Sequence, residues 1–408
     1  MESGGSPSRT TGGAVTPTSD WMGATAERGS SSTHTADRTV IRMGPVPPLP
    51  VVPSRKRILD RSHRPDGGVT IKPLLADSKH RDGSILRESC SWHKMYRMNI
   101  TDETSVEPMM MSKKPNCQPY SRDCQMHGYC NMMQIYWLKL AYISVDSFYG
   151  PVQVYGFLAA RDILNPRRNY LFNRGRDDPL EIVQDDDWLI QMSGPKRGIE
   201  MTSPVLVEFD MRIKIGEREE DDLQLIDGAV SFSDMDPPIN MAFTRRLCGE
   251  GGAVDINLAH MYEAAEATIQ VRISEACDSG LSLCLTASGS ALQHQARLFD
   301  GIVGETPCDL GKFVFAVMSL TKLVVLLKVG RGGGSDCVYR FHLFDVQKHG
   351  DSTVSFKIPD MVTIEVKVTW STLDIPDSAL EEDNRYNWRK ELRSDDDDDD
   401  YEYDWNDY

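Results

Sequence analysis

The sequence predicts a mainly β protein. It reads as an antiparallel β-sandwich, one large sandwich or two abutting lobes, between a disordered N-terminal arm and a disordered acidic C-terminal tail. Three observations predict this. From about residue 133, runs of mostly five to twelve residues rich in β-branched and aromatic side chains follow one another, separated by Gly, Pro, Asp or Asn. Several of these runs alternate apolar with polar residues. No regular helical pattern interrupts them, and about 240 residues of short strands require two packed sheets.

The arm comes first. Residues 1–88, opening "MESGGSPSRTTGGAVTPTSDW", are rich in Ser, Thr and Gly and cannot bury enough apolar surface to offset their chain entropy. They lack the apolar stretch of a secretory signal, so the expected setting is intracellular, in cytoplasm or nucleus. A plastid address is the lesser reading, because Glu2, Asp20 and Glu27 fall early. "PVPPLPVVPSRKR" (45–57) favours extended polyproline II and reads as a solvated linker. Residues 89–130 form a lead-in segment containing Cys and Met.

The β-rich domain spans 131–373. In "VEFDMRIKI", Val207, Phe209, Met211, Ile213 and Ile215 alternate with Glu208, Asp210, Arg212 and Lys214, which predicts one buried and one wet face. "TIEVKVTW" repeats the pattern, with Ile364, Val366 and Val368 against Glu365, Lys367 and Thr369. "NLAHMYEAAEA" (257–267) is the one helix competitor, able to add a turn or two before its strand. The apolar run from Phe313 to Val329 contains Lys322 and reads as two strands joined near "SLT" rather than a membrane span. If there are two lobes, "CGEGGAVD" (248–255) is the expected join.

Charge narrows the partners. Residues 1–100 carry 15 basic and 9 acidic side chains and residues 377–408 carry 4 and 14, so with a net charge of −16 the body between is itself acidic. Such a surface repels phosphate backbones, which argues against nucleic acid and leaves a protein as the expected partner.

Residues able to do chemistry cluster after "GPVQVYGFLAARD" (150–162), where Val152, Val154, Gly156 and Leu158 share one face and Gln153, Tyr155 and Phe157 the other. The run ends on Arg161 and Asp162. Arg167, Arg168, Arg174 and Arg176 then alternate with Asp162, Asp177 and Asp178 on adjoining strand ends. Clusters of this kind usually form partly exposed ion pairs worth at most about 1 kcal/mol each. The sharper reading is a bidentate site for a carboxylate or phosphate ligand. A hydrolase would use the same carboxylates, held roughly 5 to 10 Å apart in a cleft.

Other patterns are thinner. There is no nucleophile elbow and no phosphate-cradling loop, so no catalytic residue and no cofactor is assigned. The acidic loops at Asp185–Asp187, Glu219–Asp222, and Asp234 with Asp236 read as solvated turns rather than Ca²⁺ sites. Nine cysteines, an odd number, fit reduced thiols. "CQPYSRDCQMHGYC" raises a zinc site from Cys117, Cys124, His127 and Cys130, although it contains no CxxC pair. In the tail "SDDDDDDYEYDWNDY", Tyr401, Tyr403, Trp405 and Tyr408 alternate with acids, a composition suited to binding a basic partner surface.

The same body carries a resemblance. "MMQIYWLKLAYI", "GPVQVYGFLAARD", "NYLFNRGRDDP", "SGPKRGIEM", "FDMRIKI", "DDLQLIDG", "AVDINLAHMYEAAEATIQVRISE" and "VTIEVKVTWSTL" together resemble the plant family, abundant in grasses, catalogued as domain of unknown function 6598. The family has no established activity, so the resemblance implies no catalytic residues. Some relatives share chains with ribosome-inactivating N-glycosylase domains, which implies a stress or defence setting. "RISEACDS" (272–279) superficially resembles the catalytic motif of those enzymes, but Asp278 stands where they carry Arg. The resulting expectation is a non-enzymatic binding or interaction module. The competing class is a hydrolase, or an N-glycosylase-associated protein, using carboxylates near Asp162, Asp177 and Asp178.

Overall fold

The apolar runs fold as strands. They begin with β1 (Val69–Ile71), β2 (His127–Gly128), β3 (Cys130–Ile143), β4 (Val152–Arg161), β5 (Asn169–Arg174) and β6 (Leu180–Ile182). Short β7 (Leu189–Ile190) and β8 (Ile199–Glu200) precede β9 (Val205–Ile213), β10 (Leu223–Phe232) and β11 (Ala242–Cys248). The long β12 (Gly252–Ala276) leads to β13 (Leu281–Gly289), β14 (Gln295–Val303), β15 (Cys308–Met318) and β16 (Lys322–Arg331). Then come β17 (Cys337–Asp345), β18 (Gly350–Ile358), β19 (Val362–Ser371) and β20 (Leu373–Asp374). The helix α1 (Ser91–Met95) is a little over one turn long.

This computed structural model describes residues 69–71, 74–75, 77–87, 89–104, 124, 126–144, 151–182, 188–233, 238–276, 280–292, 294–304, 307–331, 337–359 and 361–374. Contacts divide the chain into two units, Met1–Lys56 and Arg57–Tyr408, and the first lies outside the described residues. So do Cys117, the loop residues Asp185–Asp187, Asp234 and Asp236, and the tail with Tyr401, Tyr403, Trp405 and Tyr408.

Among the described residues the strands make three main sheets. A nine-stranded sheet is organised on β12, a five-stranded sheet runs β10-β9-β4-β5 with β6 on β4, and a four-stranded sheet runs β14-β13-β16-β17. A ribbon of β2 and β20 completes them. The ladders are antiparallel except β1 on β11.

Two large hydrophobic cores result among the described residues. One lies where the four-stranded sheet packs on β12, β15, β18 and β19, and it includes Leu283, Leu327, Phe315, Val366 and Trp370. The other lies where the five-stranded sheet packs on β3, β11 and the start of β12, and it includes Val154, Leu158, Phe209, Met211, Val254 and Ile256. Both long strands serve both cores. β3 gives Met132 and Tyr136 to the first and Met133 and Ile135 to the second, which explains its unbroken apolar run. Each fully buried side chain of this size contributes about 1.5 to 3 kcal/mol, more than any surface ion pair.

The expected faces are largely in place. Val207, Phe209, Met211 and Ile213 are buried, as are Ile364, Val366 and Val368, while Ile215 at the end of its run is exposed. Gly156 answers a steric need inside β4. Its φ is +103°, and a Cβ there would lie 2.1 Å from the backbone oxygen of Asp210 on the neighbouring β9.

Four expectations are corrected. Residues 257–267 are strand, not helix: Ala259, Ala264, Ala265 and Ala267 are fully buried, and sheet packing overrides their helix propensity. The strand absorbs the misfit in a bulge between Met261 and Ala264, with Glu263 at φ 48°. Residues 248–255 are the β11–β12 hairpin rather than a join, and β12 runs on through both cores. The folded body also starts earlier than residue 89, since β1 pairs with β11 and Ile85 is fully buried. The fourth correction concerns the wet face of β9. Leu75, Ile85, Tyr96 and Met98 pack with Leu206 and Ala229 in a third cluster, and this cover leaves Glu208 with no exposure.

Candidate functional site

The cover over β9 creates a buried ionic network. Glu208 receives Arg161 from the end of β4, Arg168 through Nε at 2.8 Å, and His80 through Nε2 at 3.1 Å. The other ring nitrogen of His80 meets Asp227 at 2.8 Å, so one imidazole bridges two strands. Burial alone would raise the Glu208 pKa, but His80, Arg161 and Arg168 hold it far below the usual carboxylate range. Arg161 and Asp162, neighbours in sequence, point into different networks. Asp162 is held by Arg197 and by the backbone N–H groups of Asn165 and Glu200, while Arg197 Nε also donates to Thr104.

The remaining predicted residues do not converge with these. Arg167 is exposed on the turn before β5. Arg174 and Asp178 form an exposed pair at 2.7 Å, and Asp177 is exposed beside them. Arg174 stands opposite Gly156, six residues along β4 from Asp162, which at the rise of a strand is about 20 Å. That exceeds the separation two cooperating carboxylates need. Arg176 grips Asp222, which also accepts from the Tyr155 hydroxyl at 2.7 Å. Burial would raise Asp222, but Arg176 and Tyr155 hold it down to about 2. Burial and Asp222 push Tyr155 up to about 12. The arginines proposed as an anion clamp are thus divided: Arg161, Arg168 and Arg176 are engaged by the protein's own carboxylates.

The predicted cysteine cluster is regrouped. Cys124 Sγ lies 3.1 Å from His127 Nδ1, and His349, just before β18, brings its ring centroid within 5.0 Å of that of His127. The donor atoms of these three buried residues all lie within 4.8 Å of one another. Cys130 is instead part of the first hydrophobic core, and Cys117 lies outside the described residues. Sequence reasoning missed His349 because it is distant along the chain and carries no spacing signal.

It also missed the outer face of the four-stranded sheet. On β17, Tyr339, Phe341 and Leu343 are 59%, 58% and 41% exposed, alternate positions on one face. Their register partners on β16 are Lys328, Leu326 and Val324, and Lys328 makes no ion pair among the described residues. The alternation of β17 was legible, but not which of its faces would be left uncovered. Beyond the opposite edge of this sheet, a 380 Å³ cleft opens between β14 and β3, lined by Trp137, Lys139, Arg297, Phe299 and Asp300 among others. No helix among the described residues is long and apolar enough to cross a membrane.

A family model, Domain of unknown function (DUF6598), matches residues 132–368. No curated protein matches. Among solved structures, human GIVD cytosolic phospholipase A2 is similar at 10% identity over 65% of this chain and 36% of that one, with a TM-score of 0.21. A calcium-bound pair of domains from extended-synaptotagmin 2 is similar at 8% identity over 61% of this chain and 100% of that one, with a TM-score of 0.23. The chain spans little more than a third of the phospholipase chain, and at these scores neither likeness carries an argument. The family match is of another order: it covers more than half of the sequence, and the chain belongs to the DUF6598 family.

Proposed function

We propose that this protein is a non-enzymatic binding module whose contact surface is the outer face of β16 and β17. The observation that carries this reading is the row Tyr339, Phe341 and Leu343, three large apolar side chains in water on one face of an edge strand. Exposed apolar patches of this kind mark contact surfaces, and aromatic side chains supply much contact area at low conformational cost. The face binds, rather than the strand edge. Arg340 lies on the core-facing side of β17, and an inward-pointing charge is a common guard against edge-to-edge pairing. The partner is a protein with an apolar surface and a carboxylate to meet Lys328.

The charged candidates support the same reading from the other side. Asp162 is locked on Arg197, and Asp177 and Asp178 lie on a different turn, so they lack the convergence that hydrolysis requires. The test places a photo-crosslinking phenylalanine analogue at position 341, and separately at exposed Lys357 on β18, in the full chain in cells. The expected result is a defined set of protein adducts from position 341, lost when Tyr339 and Leu343 are changed to Ser. Equal capture of the same proteins from position 357 overturns the assignment.

A further inference from the structure

We propose that Cys124, His127 and His349 bind a zinc ion that ties the lead-in segment to the far end of the β body. A thiolate and two imidazoles are zinc-type donors, and the absence of oxygen donors from this trio disfavours Ca²⁺ or Mg²⁺. The convergence is not a local accident, because the three side chains come from two segments more than 200 residues apart, linked through the Lys348 side chain and through β20. His127 sits in β2, opposite Asp374 of β20. Lys348, next to His349, donates from Nζ to the carbonyl of Cys124 at 2.5 Å, and its own carbonyl accepts from the Thr372 hydroxyl at 2.7 Å. Lys348 therefore holds Cys124 itself against the His349 turn.

The donor atoms, within 4.8 Å of one another, come within reach of one ion after side-chain shifts of up to about 1 Å. Tetrahedral zinc with ordinary bond lengths sets sulfur and nitrogen ligands about 3.6 Å apart. The 3.1 Å contact between Cys124 and His127 would open by roughly half an ångström. On binding, the Cys124 S–H bond breaks, its proton leaves to solvent, and the thiolate electron pair forms the bond to Zn²⁺. Three protein ligands leave a fourth position for water or another group. A Cys–His nucleophile is the rival use of the same pair. It fits less well, because Cys124 is 7% exposed and the second imidazole would have no role.

The experiment uses the full chain, stripped with a chelator and titrated with Co²⁺ as the spectroscopic probe. The expected result is a thiolate-to-cobalt charge-transfer band that saturates near one equivalent and is abolished by Zn²⁺. Cys124→Ser removes the band, His349→Gln weakens cobalt binding by at least about tenfold, and Cys308→Ser, at a half-buried thiol outside the trio, changes nothing. Circular dichroism checks that each variant folds. Should one fail, the zinc content and the zinc-dependent rise in melting temperature of the wild-type chain decide alone. The proposal is overturned if folded wild type shows neither band nor bound zinc. It is equally overturned if folded His349→Gln binds cobalt as tightly as wild type, or if Cys124 alkylates rapidly with no protection by zinc.

Discussion

Asp162 and Arg197 hold each other through two hydrogen bonds, 2.6 and 2.9 Å, with side chains only 1% and 4% exposed. The pair fastens the end of β4 to the turn before β8. Removing one partner strands a buried charge, so Arg197→Met should cost about 3 to 5 kcal/mol. Arg197→Lys should recover only part of this, because an ammonium cannot reproduce the planar fork. Urea unfolding measures both, and a loss below about 1 kcal/mol for Arg197→Met would show that solvent reaches the pair.

A pH dependence follows from His80. Burial alone would lower its pKa, but hydrogen bonds to Asp227 and Glu208 raise it above the ordinary value. Such a group stabilises the fold fully below its unfolded pKa of about 6.5 and loses that contribution as pH rises through the higher folded value. For Asp227 and Glu208, burial acts upward but His80 and, at Glu208, the two arginines hold both below the ordinary range. Their contribution is present above about pH 4 and fades as pH falls. Stability should therefore peak near pH 5 to 6.5 and decline above it, and His80→Gln should flatten the alkaline side. An unchanged slope in that variant assigns the decline to another group.

Gly156→Ala should destabilise by about 1 to 3 kcal/mol, because the new methyl group must displace the β9 backbone at Asp210 and adopt a positive φ. Thermal unfolding of the variant measures this. A neutral result would mean that β4 and β9 shift apart freely.

Changing Tyr339, Phe341 and Leu343 together to Ser should leave the unfolding midpoint nearly unchanged, within about 0.5 kcal/mol per residue, since exposed side chains contribute little to folding. A loss of several kcal/mol would make the face part of the core and remove it as a contact surface.

The amino-acid sequence by itself determined the strands and most of their faces. Val207, Phe209 and Met211 on β9, and Ile364, Val366 and Val368 on β19, alternate with polar residues, and a period of two has only one structural solution when one face must be dry. It also determined the split of Phe313–Val329 into β15 and β16, since Lys322 and the "SLT" turn interrupt the run. Only the tertiary structure decided which polar faces stay wet. Glu208 and Lys367 occupy equivalent places in alternating strands, yet Glu208 is buried because Tyr96, Ile85 and Leu75 pack across its sheet, while Lys367 remains partly exposed and pairs with Asp351. His349 joins Cys124 and His127 for the same reason: strand periodicity is a local property, whereas the meeting of segments far apart in the chain depends on how whole sheets stack.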